Sequence, residues 1–471
     1  MGKGGSANAL NEVHSVNRRE AETVEVYLFG KVVDVTKFLN THPGGTKALK
    51  IFRNRDATEQ FIMCAPCPAA ASGWRCEWLV RVCEADVAAP QRATEGCSPA
   101  PCACAVLTPL TRYHSPKAHK QMQLMSRGAR DAPAAAMEVS QGVVGRDFEA
   151  MRQQFEEQGL FKPDYADEAF KLALTLGPGV LGARLLHSGM PCLGAFLIAF
   201  SWYLCGWTAH DYLHHGVLKG SQSQLVLWNN VAGFLLGAWQ GFTPGWWRAR
   251  HNTHHLVTNE KGNDPDIKTA PVLTFVRGSP KVAATLNAVQ RWQEYYYVPL
   301  MCLLDVYWRL ESIAYLVVRP LQKTWLEWSL MGLHYAVTAW VFSGQMGWLL
   351  FASLVRGFLT GIVVFATHYG EEHLEGGDHK MTLVEQTALT SRNITGGYVV
   401  NLLTGYISLQ TEHHLFPMMP TAHLSKCQPH VRAFFKKHGF HYRESNLLEC
   451  VKFNIAALRH DSLSPLDLAD H

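Results

Sequence analysis

HNTHH at residues 251–255 is the clearest of three short histidine clusters in this sequence of 471 residues. HDYLHH stands upstream at residues 210–215, and QTEHH stands downstream at residues 410–414. Residues three or four apart share one face of a helix, so each cluster aims several imidazoles in one direction. Imidazole binds iron, zinc, copper and nickel, and geometry decides among them. The clusters hold more histidines than the four ligands of a structural zinc site, so they predict two metal ions rather than solvated histidines.

The rest of the chain has the composition of a membrane protein with sizeable polar parts. Hydrophobic residues make up 48% of the sequence. The formal net charge is only +4, and no basic run indicates a nucleic-acid partner. Seven of the twelve cysteines fall within residues 64–112 and the other five are scattered singly, which is typical of a reducing compartment facing the cytosol.

A turn motif near the N-terminus contains a candidate heme ligand. Residues 42–45 read HPGG, after two strand-like segments at 24–29 and 32–35 that are joined by a Gly-Lys turn. Proline and paired glycines fix a tight turn that presents the His42 imidazole to a planar heme. The alternative is an ordinary histidine in a turn.

Together these motifs resemble those of a known membrane enzyme family. HDYLHH, HNTHH and QTEHH are similar to the HxxxHH, HxxHH and QxxHH boxes of membrane fatty-acid desaturases. HPGG followed by DATEQF at residues 56–61 resembles cytochrome b5. Glutamine at the head of the third box is typical of the front-end group, which carries an N-terminal cytochrome b5 domain. Enzymes of that group insert a double bond between an existing one and the carboxyl end.

The resemblance implies which residues bind the cofactors, two iron ions and heme b. Gln410 is expected to lie beside the irons or to coordinate weakly, whereas Asp211 and Glu412 are expected to orient imidazoles or to be solvent-exposed. The expected iron ligands are His210, His214, His215, His251, His254, His255, His413 and His414, with His368 as a further candidate that could instead cap a helix.

The predicted heme site has an irregular spacing. The resemblance requires a second axial histidine about two dozen residues after His42, and none stands there. Residues 64–112 are rich in Ala, Pro and Cys and lack periodicity, so we interpret them as an insertion with no fold of its own. Removing them shortens the separation of His42 and His114 from 72 to 23 residues, which makes His114 the expected second ligand and His119 the alternative. A zinc or redox site built on the cysteines of this segment needs ordered turns, which its composition disfavours.

The predicted fold is an α-helical integral membrane protein with an N-terminal α+β cytochrome b5-like heme domain. We expect the heme domain at residues 1–125, a linker with an interfacial helix at 126–168, and a desaturase domain at 169–471. Two apolar hairpins predict four transmembrane helices, at residues 170–186, 192–209, 328–342 and 348–367. Residues 225–242 are predicted to be re-entrant or interfacial, since a further crossing would separate the first two boxes across the bilayer. A histidine-rich di-iron cap then faces the cytosol.

The predicted reaction is front-end desaturation of a polyunsaturated acyl lipid with O₂. The electrons are expected to come from NADH-cytochrome b5 reductase through the chain's own heme. The sequence around HNTHH favours Δ4 regiochemistry over Δ5, Δ6 and Δ8. The alternatives are a sphingolipid long-chain-base desaturase, a membrane hydroxylase, a non-catalytic heme or metal electron-transfer protein, and a chain whose insertion prevents heme binding. The endoplasmic reticulum is the expected membrane, and a plastid membrane is the alternative.

Overall fold

The computed structural model describes residues 23–28, 30–39, 49–58, 129–133, 142–219, 222–269, 272–275, 289–290, 292–376 and 381–462. The predicted heme ligands His42 and His114, the alternative His119 and the predicted insertion at 64–112 lie outside these residues. The described part of the chain is mostly helical, with two separate two-stranded sheets.

The described parts of residues 23–58 and 129–133 form a small unit, here called the N-terminal module. Strand β1 (Glu25–Leu28) pairs antiparallel with β2 (Lys31–Asp34), as the alternating sequence predicts, and a 3₁₀ turn follows at Thr36–Phe38. Residues 129–133 return to this hairpin, where the Val32 N–H donates to the Arg130 carbonyl at 3.0 Å. The apolar core of the module includes the buried side chains of Val24, Val26, Leu28, Val33, Val35, Leu39, Ile51 and Phe52.

Nine helices form the central part of the described chain, between residues 143 and 364. They are α1 (Val143–Glu157), α2 (Tyr165–Leu186), α3 (Pro191–Leu213), α4 (Gln222–Gln240), α5 (Pro244–Leu256), α6 (Gln293–Met301), α7 (Leu304–Val317), α8 (Leu321–Val341) and α9 (Met346–Val364). A 3₁₀ turn at Phe365–Thr367 continues α9. Helix α3 is central, because it packs against α2, α4 and α9.

The C-terminal part of the described chain consists of short helices around a parallel strand pair. Its elements are α10 (Leu383–Thr390), β3 (Asn393–Thr395), α11 (Gly397–Leu403), α12 (Gln410–Leu415), α13 (Thr421–His438), β4 (Glu444–Asn446) and α14 (Leu447–Ser462). Strands β3 and β4 pair in parallel, with Ile394 opposite Ser445. An apolar core that includes Phe155, Phe416 and Phe435 joins α1 and α13 to the segment after α12, and so fixes the third histidine cluster.

Three of the described helices are long and apolar enough to cross a membrane, namely α2, α3 and α9 with its 3₁₀ extension to Thr367. The prediction from sequence was four. The predicted segment at 328–342 falls largely in α8, which is less apolar than these three helices. It carries the buried polar residues Thr324, Glu327, His334 and Thr338. The prediction of a helical membrane protein therefore agrees with the structure, whereas the fourth span is not supported by apolarity.

Helices α2 and α3 approach closely through glycines, which brings the first histidine cluster to a defined place. A Cβ atom on Gly194 would lie 2.5 Å from the Leu186 nitrogen, and one on Gly182 would lie 2.6 Å from the Gly194 carbonyl oxygen. No side chain fits there without displacing the backbone. The close contact holds α3 against α2, and the last turn of α3 begins the site.

Candidate metal centre

The three histidine clusters meet in the fold and form two adjacent groups of imidazoles. The first cluster lies at the C-terminal end of α3, the second on α5 and the third on the six-residue helix α12. The first group consists of His210, His214, His251, His255 and His413, all buried, with one ring nitrogen of each within 4.8 Å of the others. Elements that are far apart in sequence therefore direct their nitrogens at one point.

Ring nitrogens in the first group face one another at very short distances. His251 Nε2 lies 2.9 Å from His210 Nε2 and 2.9 Å from His255 Nε2. His413 Nε2 lies 3.1 Å from His255 Nε2. A neutral imidazole has one donor and one acceptor nitrogen, so a set of converging Nε2 atoms cannot be satisfied by shared protons alone. This donor set fits a metal ion that binds imidazole nitrogen.

The second group consists of His254, His368 and His414, again buried and within 4.8 Å by their ring nitrogens. The Gln410 side-chain amide lies between two of them, 2.6 Å from His368 Nε2 and 3.1 Å from His414 Nε2. Gln410 Oε1 is buried and has no hydrogen-bond partner among the described residues. Because the orientation of an amide is assigned from its neighbours, either end of Gln410 can face the same point.

His215 is the predicted ligand that the structure leaves outside both groups. Its backbone takes a φ of +57° immediately after α3 ends, and its ring lies 3.2 Å from the Asn230 side-chain oxygen. His214 still follows the helical turn from His210, but the next residue rotates away from that face. The other eight predicted histidines, including His368, lie in one of the two groups.

Carboxylates and hydroxyls hold several of these rings from behind. His254 Nδ1 lies 2.9 Å from Asp264 Oδ2, which also accepts the Asn259 N–H at 2.7 Å. His368 Nδ1 lies 2.7 Å from the Thr390 carbonyl, and His414 Nδ1 lies 3.2 Å from the Thr258 hydroxyl. Such partners fix the orientation of a metal-binding imidazole and leave its other nitrogen free to coordinate.

The two acidic residues that the sequence singled out have different surroundings. Asp211 Oδ1 lies 3.3 Å from His210 Nδ1, and its other oxygen accepts from Thr421 at 2.7 Å. Glu412 is fully buried and accepts hydrogen bonds from Asn393 and Tyr442. Glu412 therefore joins α12 to the strand pair, and neither residue is solvent-exposed.

Burial and charge set the protonation of the imidazoles. Desolvation lowers the pKa of His251, His255, His413 and His414 well below the ordinary histidine value of 6.5, and their neighbours add like-charge repulsion. These rings are therefore neutral at physiological pH, which is the form that binds a metal. Burial also opposes charge on His254, but the carboxylates of Asp264 and Asp266 outweigh it and raise its pKa.

A cavity opens directly on the two groups. Its lining includes His210, His251, His254 and His368. A second cavity shares part of this lining, since Trp207, Trp247 and Trp308 line both. The lining of the second cavity also includes the polar residues Gln240 and Arg356. The mostly apolar and aromatic lining suits a hydrocarbon chain.

Two residues that support the site were not among those predicted from the sequence. Asp264, in a polar turn at residues 263–266, contacts His254. Trp247 stacks on His251 with ring centroids 4.7 Å apart and also lines both cavities. A carboxylate ten residues after a histidine and an aromatic residue one turn before another are the available signals, but both are common without a role.

Family models and relatives define the class of protein that carries this site. Residues 188–446 match the fatty acid desaturase family, and residues 10–81 match the cytochrome b5-like heme/steroid binding domain. The chain belongs to the fatty acid desaturase family and carries an N-terminal cytochrome b5-like domain. The second match includes part of the predicted insertion and ends before His114.

Individual relatives narrow the comparison. The chain is 48% identical to an acyl-lipid 8-desaturase from Rebecca salina over 98% of its own length and all of the relative. It is 28% identical to a Δ8 fatty acid desaturase from Euglena gracilis, over 69% of this chain and 80% of the relative. It is 25% identical to a Δ6 fatty acid desaturase from Caenorhabditis elegans, over 66% and 74% of the two chains.

These results confirm the predicted family, the fusion to a cytochrome b5-like domain and the class of enzyme, an oxidoreductase. The membrane character also agrees with the family and with the apolar helices. The predicted preference for Δ4 is not supported, because the relative with 48% identity over the whole chain is an 8-desaturase. The roles of single histidines and the domain boundaries stay predictions.

Proposed function

We propose that this enzyme is a front-end acyl-lipid desaturase that introduces a double bond at Δ8. The observation that carries the proposal is the pair of buried histidine groups opening on an aromatic cavity, in a chain 48% identical to an acyl-lipid 8-desaturase. In the overall reaction, one CH₂–CH₂ unit becomes CH=CH, and O₂ takes up its two hydrogen atoms, two electrons and two protons to give two waters.

The residues that would hold the metals are the two groups themselves. One iron fits His210, His214, His251, His255 and His413, and the other fits His254, His368 and His414 with Gln410 beside them. When bound by these groups, two irons would supply the O₂-derived oxidising power that removal of hydrogen from an unactivated chain requires. Asp264 and the Thr390 carbonyl hold His254 and His368 in the orientation that exposes their Nε2 atoms.

The chain's own side chains would position the substrate. Trp207, Trp247 and Trp308 form a continuous apolar lining from the imidazoles to the second cavity, which fits an extended acyl chain and excludes water from the reacting carbons. Arg356 and Gln240 add polar groups to the lining of the second cavity, and an apolar chain end would avoid contact with them.

Electron supply and membrane placement complete the proposal. Heme b would be held by His42 and His114 in the N-terminal domain and reduced by an NADH-dependent cytochrome b5 reductase. Helices α2, α3, α8 and α9 would span the membrane as two hairpins, with α4 at the interface, so that all three histidine clusters lie on the cytosolic face. The endoplasmic reticulum is the proposed membrane, and residues 64–112 are proposed to be an insertion in the heme domain.

Lipid analysis of yeast that expresses the full chain tests this function. The cells receive, in separate cultures, polyunsaturated acids whose first double bond lies at Δ11, Δ9, Δ8 or Δ7. With methylene-interrupted spacing, the new bond forms three carbons nearer the carboxyl end, so product only from the Δ11 acids is expected. Product only from the Δ7 acids would show that the enzyme acts at Δ4 rather than Δ8. New double bonds in sphingoid bases instead of acyl chains would refute an acyl-lipid substrate. A chain lacking residues 64–112 is run in parallel, and a higher product yield from it supports the insertion.

A further inference from the structure

The apolar core of the N-terminal module extends onto the end of α5, the helix that carries the second histidine cluster. Val257, the residue directly after α5, is 2% exposed and belongs to the same cluster as Val26, Ile51 and Phe52. Leu256 packs against that cluster as well. The module is thus seated on the end of α5, two residues from His255.

A charged contact accompanies this apolar one. Arg55 Nη1 of the module lies 3.5 Å from Glu260 Oε1, and the Glu260 side chain is fully buried. The same oxygen accepts a hydrogen bond from Asn263 Nδ2 at 2.6 Å. A buried carboxylate is costly without a cation beside it, so the fold at Glu260 favours the seated module.

The loop that receives the module also fixes the candidate metal ligands. Asn259 Nδ2 donates to the His368 carbonyl at 2.9 Å, and Asn259 N donates to Asp264, the partner of His254. The Lys261 N–H and the Asn259 carbonyl pair with Leu374, at 2.8 and 2.9 Å. Residues 257–264 therefore contact the module on one side and the second histidine group on the other.

We propose that residues 257–264 are the docking surface for the chain's own N-terminal module, with Arg55, Val257 and Glu260 as positioning residues for electron delivery. The proposal rests on the proposed function, in which this module supplies the electrons. In the docked position the module contacts Val257, which is only two residues from His255 in the sequence. The fraction of time for which the module is docked then determines the rate of electron delivery to the metal site.

Amide hydrogen exchange of the full chain in detergent tests the docking, and it requires neither heme turnover nor bound substrate. Arg55→Glu places two carboxylates together, so exchange of residues 256–264 and of 49–58 is expected to rise about tenfold, which is about 1.4 kcal/mol. Arg55→Gln is expected to give a smaller rise in the same residues. Lys50→Glu, an equal charge change at an exposed position of the module, is the matched control and should leave both segments protected.

A double variant that swaps the two charges, and the product yield in yeast, complete the experiment. The double variant Arg55→Glu with Glu260→Arg is expected to recover protection. Arg55→Glu is expected to lower the product yield in yeast, while Lys50→Glu keeps it. Equal exchange in Arg55→Glu, Arg55→Gln and Lys50→Glu would overturn the docking surface. If Arg55→Glu loses protection but keeps the yield of the parent chain, the link to electron delivery is wrong. Absence of any product from the parent chain refutes the proposed function instead, and exchange still decides the docking.

Discussion

Asp305 lies between two buried arginines, and its neutralisation tests how much this buried charge network stabilises the fold. Asp305 Oδ1 accepts from Arg356 Nη1 at 2.6 Å, and Oδ2 accepts from Arg309 Nε at 2.9 Å. The Asp305 side chain is fully buried and that of Arg356 is 3% exposed. Arg356 also donates to Gln240 Oε1 at 2.6 Å, so the network ties α7 and α9 to the end of α4 and closes the second cavity.

We expect Asp305→Asn to destabilise the protein by about 3–5 kcal/mol. Removing one partner of a buried ion pair costs that much, because the charges that stay behind are neither paired nor hydrated. At roughly 2–4 °C per kcal/mol, the figure for domains of about 150–250 residues, the melting temperature of the detergent-solubilised chain should fall by about 10 °C. Tryptophan fluorescence during heating measures this directly.

Two further variants make the result interpretable. Glu444→Gln removes a carboxylate from the exposed pair with Arg432 and should cost less than about 1 kcal/mol. Combining Asp305→Asn with Arg356→Gln removes both charges of one pair, so its cost should be clearly below the sum of the two single variants. If Asp305→Asn melts within a degree or two of Glu444→Gln, the buried network does not stabilise the fold as argued here.

Three other substitutions test the site and its surroundings. Asp264→Asn removes the carboxylate behind His254 and is expected to weaken iron binding about 10- to 100-fold in a chelator titration, whereas Glu375→Gln, at a side chain that is 82% exposed, should leave it unchanged. Gly241 and Gly262 have similar φ values, +82° and +79°, but a Cβ on Gly241 would lie 2.1 Å from Arg309 Nη1 while the space around Gly262 is open. Gly241→Ala should therefore lower the melting temperature more than Gly262→Ala. Equal effects of the two substitutions would contradict the steric argument. Thr360→Leu narrows the second cavity and should lower the product yield from long acyl chains about tenfold, or about 1.4 kcal/mol. The near-isosteric Thr360→Val should keep the yield. An unchanged yield with Thr360→Leu would show that the acyl chain does not occupy this cavity.

The shared direction of histidines within one cluster could be predicted only where helical periodicity fixes it. His251 and His255 lie one helical turn apart on α5 and fall in the same group, as helical spacing requires. His254 lies between them in sequence and falls in the other group, since each residue turns the side chain by about 100° around the helix. His215 follows the end of α3, where the periodicity no longer applies, and this explains why it lies apart.

The supporting contacts could not be predicted because they depend on the tertiary path of loops and helices. Asp264, Thr258 and Thr390 reach their histidines only after the chain turns back on itself. The fourth predicted span shows the same limit. Glu327 of α8 accepts the Gly245 N–H at 2.7 Å, so a polar residue that lowers the apolar character of α8 serves to hold the start of α5.

Metal analysis of the purified full chain tests the central claim, that the two histidine groups hold one iron each. We expect two iron ions per chain beyond any heme iron, about one in His255→Ala and about one in His414→Ala, because each variant removes a ligand from one group. His215→Ala should retain both, since that ring lies beside Asn230. A parent chain that makes product with a single non-heme iron, or a loss of iron in His215→Ala equal to that in His255→Ala, would contradict the account.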